Sequence, residues 1–485
     1  SGPDATGGNR LWRSDGTARG TAVVKDLYPG ADPNFPQDLF EIDSVLFYAA
    51  INSNSEEGVP AENGYELWRR EGNSVGTPMF KNIVPDQIIT EVDIDTETDD
   101  ETGVTEITTS ITTSRVQNDS FPKGFTAVNG NIFFTAATPY FMEAGDAQED
   151  ILNLLDRDII GGIELWFSDG TESGTRPIVI NSNRYDYYAP NDFEYGYLPE
   201  NIYFPDYGFT TNSASSFPRE LTAFESNLIF VANDGVHGFE LWKIDDEGNQ
   251  HELIADLSEG NTSSSPEQLT VVGDRLYFTA DTGSGRKLWS TSSGLETPVL
   301  VNGAGDDPKD LTAIEDKLYF SSKSELGREL WVADGNSANL VEDINPGTGS
   351  SSPSNFTATK NQRKGNIETQ LFFTADGGER GVELWSLDLA NNSSKPQRYD
   401  DIVDGPTSSE PRQLVNAEQR LYFTADDGES GRELWTLGVT IQGPTGPSNG
   451  EASAVIQVEE QTKKVFQYSS DSDVAWSLNG GDDSD

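Results

Sequence analysis

The chain has 485 residues, and its 82 Asp and Glu against 32 Lys and Arg leave a net charge of −50, with no cysteine, two histidines and two methionines. Such acidity repels phosphate backbones and anionic lipid, which excludes nucleic acid as a partner and docking through a basic patch. Disulfides and thiolate sites have no raw material, and His237 with His251 cannot furnish a multi-histidine zinc centre.

The apolar fraction is only 34 %, yet 9 Trp, 16 Tyr and 24 Phe can each bury a large area, so the chain reads as folded and globular. No stretch approaches the roughly 18 apolar residues of a membrane span, so no direct membrane insertion is expected. Acidity, the absence of cysteine and abundant Gly, Asn, Ser and Thr suit an extracellular bacterial protein, secreted or held at the cell surface.

In chain order, Leu11-Trp12 opens the pattern and runs into Ser14-Asp15-Gly16-Thr17 and Gly20-Thr21, a turn of residues that tolerate positive φ or cap themselves. Pro36 then precedes a first strand, the run from Leu46 (LFYAA) a second, and Glu66-Leu67-Trp68 a third. Proline suits the first residue of a strand because it cannot donate to the ladder. The same trio recurs with Pro122, Ile132 and Trp166; Pro218, Leu228 and Trp242; Pro266, Leu276 and Trp289; Pro308, Leu318 and Trp331; Pro353, Leu371 and Trp385; and Pro411, Leu421 and Trp435. A fourth element ends in Asp or Asn after most of the tryptophans, at Asp26, Asn82, Asn181, Asp256, Asn302, Asp343 and Asp401.

Insertions interrupt this pattern at 86–118, 138–162 and 182–216. The first alternates as a long hairpin turning near Asp100 to Gly103. The second sets Ile151, Leu154, Leu155 and Ile159 at helical spacing before Gly161, a short lid-like helix. The third holds Tyr185, Tyr187, Tyr188, Tyr195, Tyr197, Tyr203 and Tyr207, seven of the sixteen tyrosines, among acidic residues. Rings beside acceptor oxygens suit a glycan or a protein partner, and a self-packed loop is the alternative.

Four short strands per unit of just under 50 residues is the arithmetic of a β-propeller blade. The expectation is an all-β propeller over 1–439 with seven or eight blades. The match of Arg10 to Thr21 favours eight, the first incomplete; an open array of sheets is the alternative. A linker at 440–451 precedes strand-like alternation over 452–485, and the chain is expected to be a piece of a longer protein.

Glu164, Leu165, Trp166, Asp169, Gly170 and Thr171, with Gly174 and Thr175, resemble the bacterial repeat family named for its ELWxxDGT pattern. The likeness covers roughly residues 10 to 440, with Arg10 where Glu is expected and departures from DGT after Trp289, Trp385 and Trp435. It implies propeller blades in secreted or cell-surface proteins and carries no catalytic residues. The tail resembles the opening of a cadherin-like adhesin repeat, in which the positions of Asp471 and Asp473 would bind calcium.

The recurrent Glu-Leu-Trp reads as packing, with Glu tied to the backbone or a neighbouring loop, and Asp281, Asp376, Asp426 and Asp234 read as Asx turns. The function expected is a non-catalytic structural or adhesive module contacting other surface proteins or copies of itself. A carbohydrate-binding propeller is the alternative, and a polysaccharide hydrolase or lyase ranks below both, because so many acids single out no catalytic pair.

Overall fold

The computed structural model describes residues 2–3, 9–14, 20–24, 36–52, 63–71, 79–81, 83, 87–98, 105–116, 120–137, 162–178, 180, 215–363, 366–390, 395–399, 402–403, 407–417, 420–429, 431–441 and 458–464. Among them there is no helix, and seven four-stranded antiparallel sheets follow one another, each in the order in which the chain runs. Two compact units form, Ser1–Pro266 with three of these sheets and Glu267–Asp485 with four.

In the first unit the first sheet is Gln37–Ile42, Val45–Asn52, Asn63–Glu71 and Met79–Lys81. The second is Lys123–Val128, Asn131–Ala137, Ile163–Ser168 and Arg176–Ile178. The third is Arg219–Phe224, Asn227–Asn233, Phe239–Asp245 and His251–Ala255.

In the second unit the fourth sheet is Glu267–Val272, Arg275–Asp281, Arg286–Ser292 and Val299–Leu300. The fifth is Asp306–Ile314, Lys317–Ser324, Gly327–Asp334 and Ser337–Glu342. The sixth is Ser354–Arg363, Asn366–Asp376, Val382–Asp388 and Gln397–Arg398, and the seventh Arg412–Ala417, Arg420–Asp426, Arg432–Ile441 and Val458–Lys464.

One register specifies every sheet. The second strand sets an aromatic ring directly across from the tryptophan of the third: Tyr48 with Trp68, Phe134 with Trp166, Phe230 with Trp242, Phe278 with Trp289, Phe320 with Trp331, Phe373 with Trp385 and Phe423 with Trp435. All seven of these second-strand rings are fully buried. The indole N–H of Trp68, Trp242, Trp331, Trp385 and Trp435 donates to the carbonyl two residues beyond that ring, at Ala50, Ala232, Ser322, Ala375 and Ala425. In these five sheets the pair buries aromatic area and still satisfies the indole donor, whereas the indole N–H of Trp166 and Trp289 is buried without a partner.

Six of the first strands start at the residue after the proline, the fifth sheet's two residues before it, and each carries a bulge within its opening residues. The residue two after the proline has positive φ in all seven, from 48° at Asp38 to 66° at Gly124. Glycine is the residue that adopts this conformation without penalty. Gly124→Ala should therefore cost about 1 kcal/mol through the backbone alone, since no heavy atom lies within 4 Å of the added Cβ; a denaturant titration checks it.

Within each unit the core sits between consecutive sheets. Phe47 and Leu67 of the first pack with Phe134 and Trp166 of the second, Phe133 and Phe167 of the second with Phe230 and Trp242 of the third, and Tyr277 of the fourth with Phe320 and Trp331 of the fifth. Leu330 and Phe373 join the fifth to the sixth, and Phe372 and Phe423 the sixth to the seventh. A sheet so placed buries both faces only through its neighbours.

Three regions refine the sequence reading. Trp12–Arg13 and Ala22–Val23 pair as a two-stranded piece, and Leu11 and Val24 pack on Tyr48 and Trp68. Gln87–Thr98 and Thr105–Val116 pair in register as the long hairpin expected within 86–118. The outer strand of the seventh sheet is Val458–Lys464, so a segment assigned by sequence to a separate domain at 452–485 completes a repeat sheet across the linker. The helix expected near Ile151–Ile159 lies outside the described residues.

Candidate functional site

Tyr185, Tyr187, Tyr188, Tyr195, Tyr197, Tyr203 and Tyr207 lie outside the described residues, as do Asp471 and Asp473. Among the described residues the recurrent polar chemistry is at the junctions between sheets.

Five of the six glutamates before Leu-Trp, Glu66, Glu164, Glu240, Glu329 and Glu383, are each no more than 2 % exposed, and Glu433 is half-buried. Each of the five accepts the hydroxyl of a buried serine two residues before the next proline: Ser120 at 2.9 Å, Ser216, Ser264 at 2.5 Å, Ser351 at 2.5 Å and Ser409. The amides of Ser264, Ser351 and Ser409 donate to the same carboxylates at 2.6, 3.0 and 3.1 Å. A second amide arrives from the loop after the fourth strand, from Ile83 at 2.7 Å, Leu257 at 3.2 Å and Ile344 at 2.9 Å.

The residue after each serine has φ between 42° and 46°, and its N–H donates to the carbonyl of the residue before the glutamate, as from Phe121 to Tyr65, Ser352 to Arg328 and Glu410 to Val382. Serine, its neighbour and proline thus clamp one repeat to the next. A buried carboxylate holding two or three donors is compensated for its lost water.

Burial pushes the carboxyls of Glu240, Glu329 and Glu383 upward, against the serine bonds that pull them down. Asp256 adds repulsion at Glu240 and Asp343 at Glu329. One oxygen of each of these aspartates accepts an amide four residues on, from Gly260 at 3.0 Å and Gly347 at 3.2 Å. The other, Oδ1, is buried without a hydrogen-bond partner.

The fourth-to-fifth junction departs from this chemistry. Lys287 stands where the others have glutamate, and Asp306 stands where they have serine, two residues before Pro308; the two side chains form an ion pair. The following residue, Asp307, accepts Arg328 at 2.6 Å and Lys323 at 3.0 Å and lies 3.8 Å from Lys309. Burial pushes its carboxyl up, but the three cations outweigh burial and hold it below the usual range. Beside Lys287 opens a cavity of about 270 Å³, lined by Thr282, Ser284, Leu288, Leu300 and the loop 301–305.

The Asp-Gly turns use their carboxylates locally. Asp281 takes the amides of Gly283 and Gly285, Asp376 that of Gly378 and Asp426 that of Gly428. In the full SDGT turn, Asp169 accepts both the hydroxyl and the amide of Thr171, which hold its carboxyl below the usual range, while Ser168 meets Thr175 at 2.7 Å. Ser14 and Thr21 repeat that last contact at 2.6 Å. Arg69 of the first sheet bonds the Gly170 carbonyl, so the turn also ties neighbours.

Asp234 takes the amides of Val236 and His237 and the His237 ring at 2.7 Å, which raises the histidine. His251 lies elsewhere in that sheet, beside Trp242 with ring centroids 6.1 Å apart. Among the described residues no three His, Asp or Glu side chains are gathered as a metal ion would require.

The sequence shows the prolines, but the serine two positions earlier is visible only as Ser-x-Pro, at Ser120, Ser216, Ser264, Ser351 and Ser409. Its partner lies 22 to 54 residues upstream, too far for local patterning to connect the two.

No protein-family model matches the sequence, and no curated protein matches it. Among solved structures the chain is similar to the acylaminoacyl peptidase of Pyrococcus horikoshii, at 11 % identity and a TM-score of 0.31 over 83 % of this chain and 57 % of that one. A prolyl endopeptidase matches at 9 % identity and 0.31, over 81 % and 54 %. TolB from Acinetobacter baumannii matches at 10 % identity and 0.28, over 71 % and 78 %. This chain spans little more than half the length of the two peptidases, and likenesses at such scores transfer neither a site nor an activity to it.

Proposed function

We propose that the chain is a non-catalytic β-propeller of a bacterial surface protein, working outside the cell as a structural or adhesive module that contacts other surface proteins or further copies of itself. The observation that carries this reading is the spending of the recurrent buried carboxylates on clamps between repeats, each held by serine and backbone donors. A radial arrangement is supported by the first strands. Thr126, Thr270 and Thr357 donate to the carbonyls of Leu221, Leu311 and Leu414 in the next sheet, so first strands approach one another. Seven sheets are then blades, and the piece at Trp12 and Ala22 belongs to an eighth.

The partner surface in this reading is the stretch from Tyr185 to Tyr207, since the strands are committed to the sheets and recognition falls to loops. A screen of the full chain against polysaccharides, phosphate esters and peptides should show no turnover, and enzymatic hydrolysis of any of them overturns the reading. The seven tyrosines also favour a carbohydrate-binding propeller, which a glycan array separates from a purely structural role.

Calcium at Asp471 and Asp473 belongs to the same proposal. With a net charge of −50, cations should relieve self-repulsion. The melting temperature is expected to rise more in millimolar calcium than in sodium salt of equal ionic strength. Equal values in the two salts would remove the case for a specific site.

A further inference from the structure

The fourth-to-fifth junction departs from its sisters in three respects. The first is the carboxylate, replaced by Lys287.

The second is an apolar plug. Two residues after the fourth-strand position that pairs with the Leu of Leu-Trp stand Ile83, Ile180 and Ile344, all buried, and Leu257. At this junction Val301 bonds Leu288, and the residue two further on is Gly303. Its φ is +78° and a Cβ would meet the Ala338 carbonyl at 2.7 Å, so no plug fits there.

The third is loop length. Ala255 to Ser264 and Glu342 to Ser351 are nine positions each, and Val301 to Asp306 is five. Removing plug, carboxylate and covering loop together leaves the cavity of about 270 Å³.

At Glu240 and Glu329 this space holds a carboxylate that accepts an amide from the plug residue and another from the serine. Here, beside the short glycine loop around Gly303 and Gly305, an ammonium group stands at the wall where those junctions place the glutamate carboxylate. Among the described residues Lys287 is held by Asp306, whose side chain is 67 % exposed.

Although the chain is strongly acidic, this corner is not. Lys309, Lys323 and Arg328 all converge on Asp307, so in these ion pairs four cations face two carboxylates. The remaining lining is two hydroxyls, Thr282 and Ser284, the Asn302 amide, the glycine loop and an apolar wall that includes Leu300, itself 48 % exposed. The volume is below that of a drug-sized pocket and admits a single sugar ring.

We propose that this cavity binds a sugar carboxylate, a uronic acid residue whose carboxylate takes the place that glutamate occupies at the other junctions. The carboxylate meets Lys287 and the loop amides, the ring hydroxyls meet Thr282 and Ser284, and the apolar ring face lies on Leu300. The site uses none of the residues of the tyrosine-rich segment, so its failure leaves the adhesive reading untouched, and loss of that reading leaves this site testable.

Calorimetric titration of the full chain with glucuronate, glucose, acetate and inorganic phosphate at fixed ionic strength tests it. Glucuronate should bind at least about tenfold more tightly than glucose, acetate or phosphate, a margin that one charge-assisted contact supplies. The double variant K287E/D306S installs the chain's own carboxylate and clamp serine. It should lose glucuronate binding at least about tenfold while keeping the parent melting temperature. Should that variant fail to fold, K287M, which keeps the stem and removes the charge, is expected to show the same loss. Glucuronate binding no better than glucose or phosphate, or binding undiminished in the folded variants, overturns the proposal.

Discussion

Truncating Trp68 to alanine is expected to lower stability by about 3–5 kcal/mol, the range for deleting a fully buried large aromatic. Trp68 has no exposed surface, donates its indole N–H to the Ala50 carbonyl at 2.9 Å and stacks on Tyr48 with centroids 6.5 Å apart. The cavity would open between the first sheet and the two-stranded piece that precedes it, where Leu11 packs. Trp12, in that piece, occupies the same repeat position but is 39 % exposed. Trp12→Ala should cost clearly less than Trp68→Ala, because part of its ring already faces water. Denaturant titration of both variants makes the comparison, and equal losses would show that the repeat position, rather than its burial, sets the energy.

Glu329→Ala should cost about 2–4 kcal/mol, because it strands the amides of Ile344 and Ser351 and the Ser351 hydroxyl in a buried junction. Glu329→Gln should cost less, since an amide oxygen still accepts. The pH dependence has a definite sign. Burial raises this carboxyl, with Asp343 adding repulsion, so the folded state holds its proton more tightly than the unfolded chain. Stability from this group is then present below the ordinary glutamate value and is lost as pH rises through the raised one. The chain should be more stable at about pH 5 than at about pH 7.5, and Glu329→Gln should flatten part of that slope. A steeper slope in the glutamine variant contradicts the assignment.

Much of the architecture is legible from local pattern. The runs LFYAA, IFFTA and LYFTA and the Leu-Trp pairs fall in adjacent strands because each is a short block of strand formers facing its partner ring. The fourth strands are harder to read. Val299–Leu300 and Gln397–Arg398 are two residues each, held by backbone bonds that leave no side-chain signature. Val458–Lys464 reaches its sheet across a linker, and nothing in its own residues names that neighbour.

The candidate site is the least legible part. Lys287 alone reads as one more departure from the repeat, a single cation where a glutamate is usual. Its meaning emerges only once Asp306, nineteen positions on, is seen to have changed with it. An insertion loop can be found by length, whereas a junction is found by which distant residues it brings together.

Because clamps such as Glu66 with Ser120 and Glu329 with Ser351 take one member from each of two successive repeats, those repeats are not interchangeable bricks. Excising or duplicating a whole repeat at the common junctions restores a glutamate opposite a serine and leaves the seam sound. A breakpoint between Lys287 and Asp306 instead sets lysine against serine in one product and glutamate against aspartate in the other. Array growth by recombination should therefore tolerate breakpoints on either side of this pair and reject those that divide it, so that Lys287 and Asp306 are inherited as a single character.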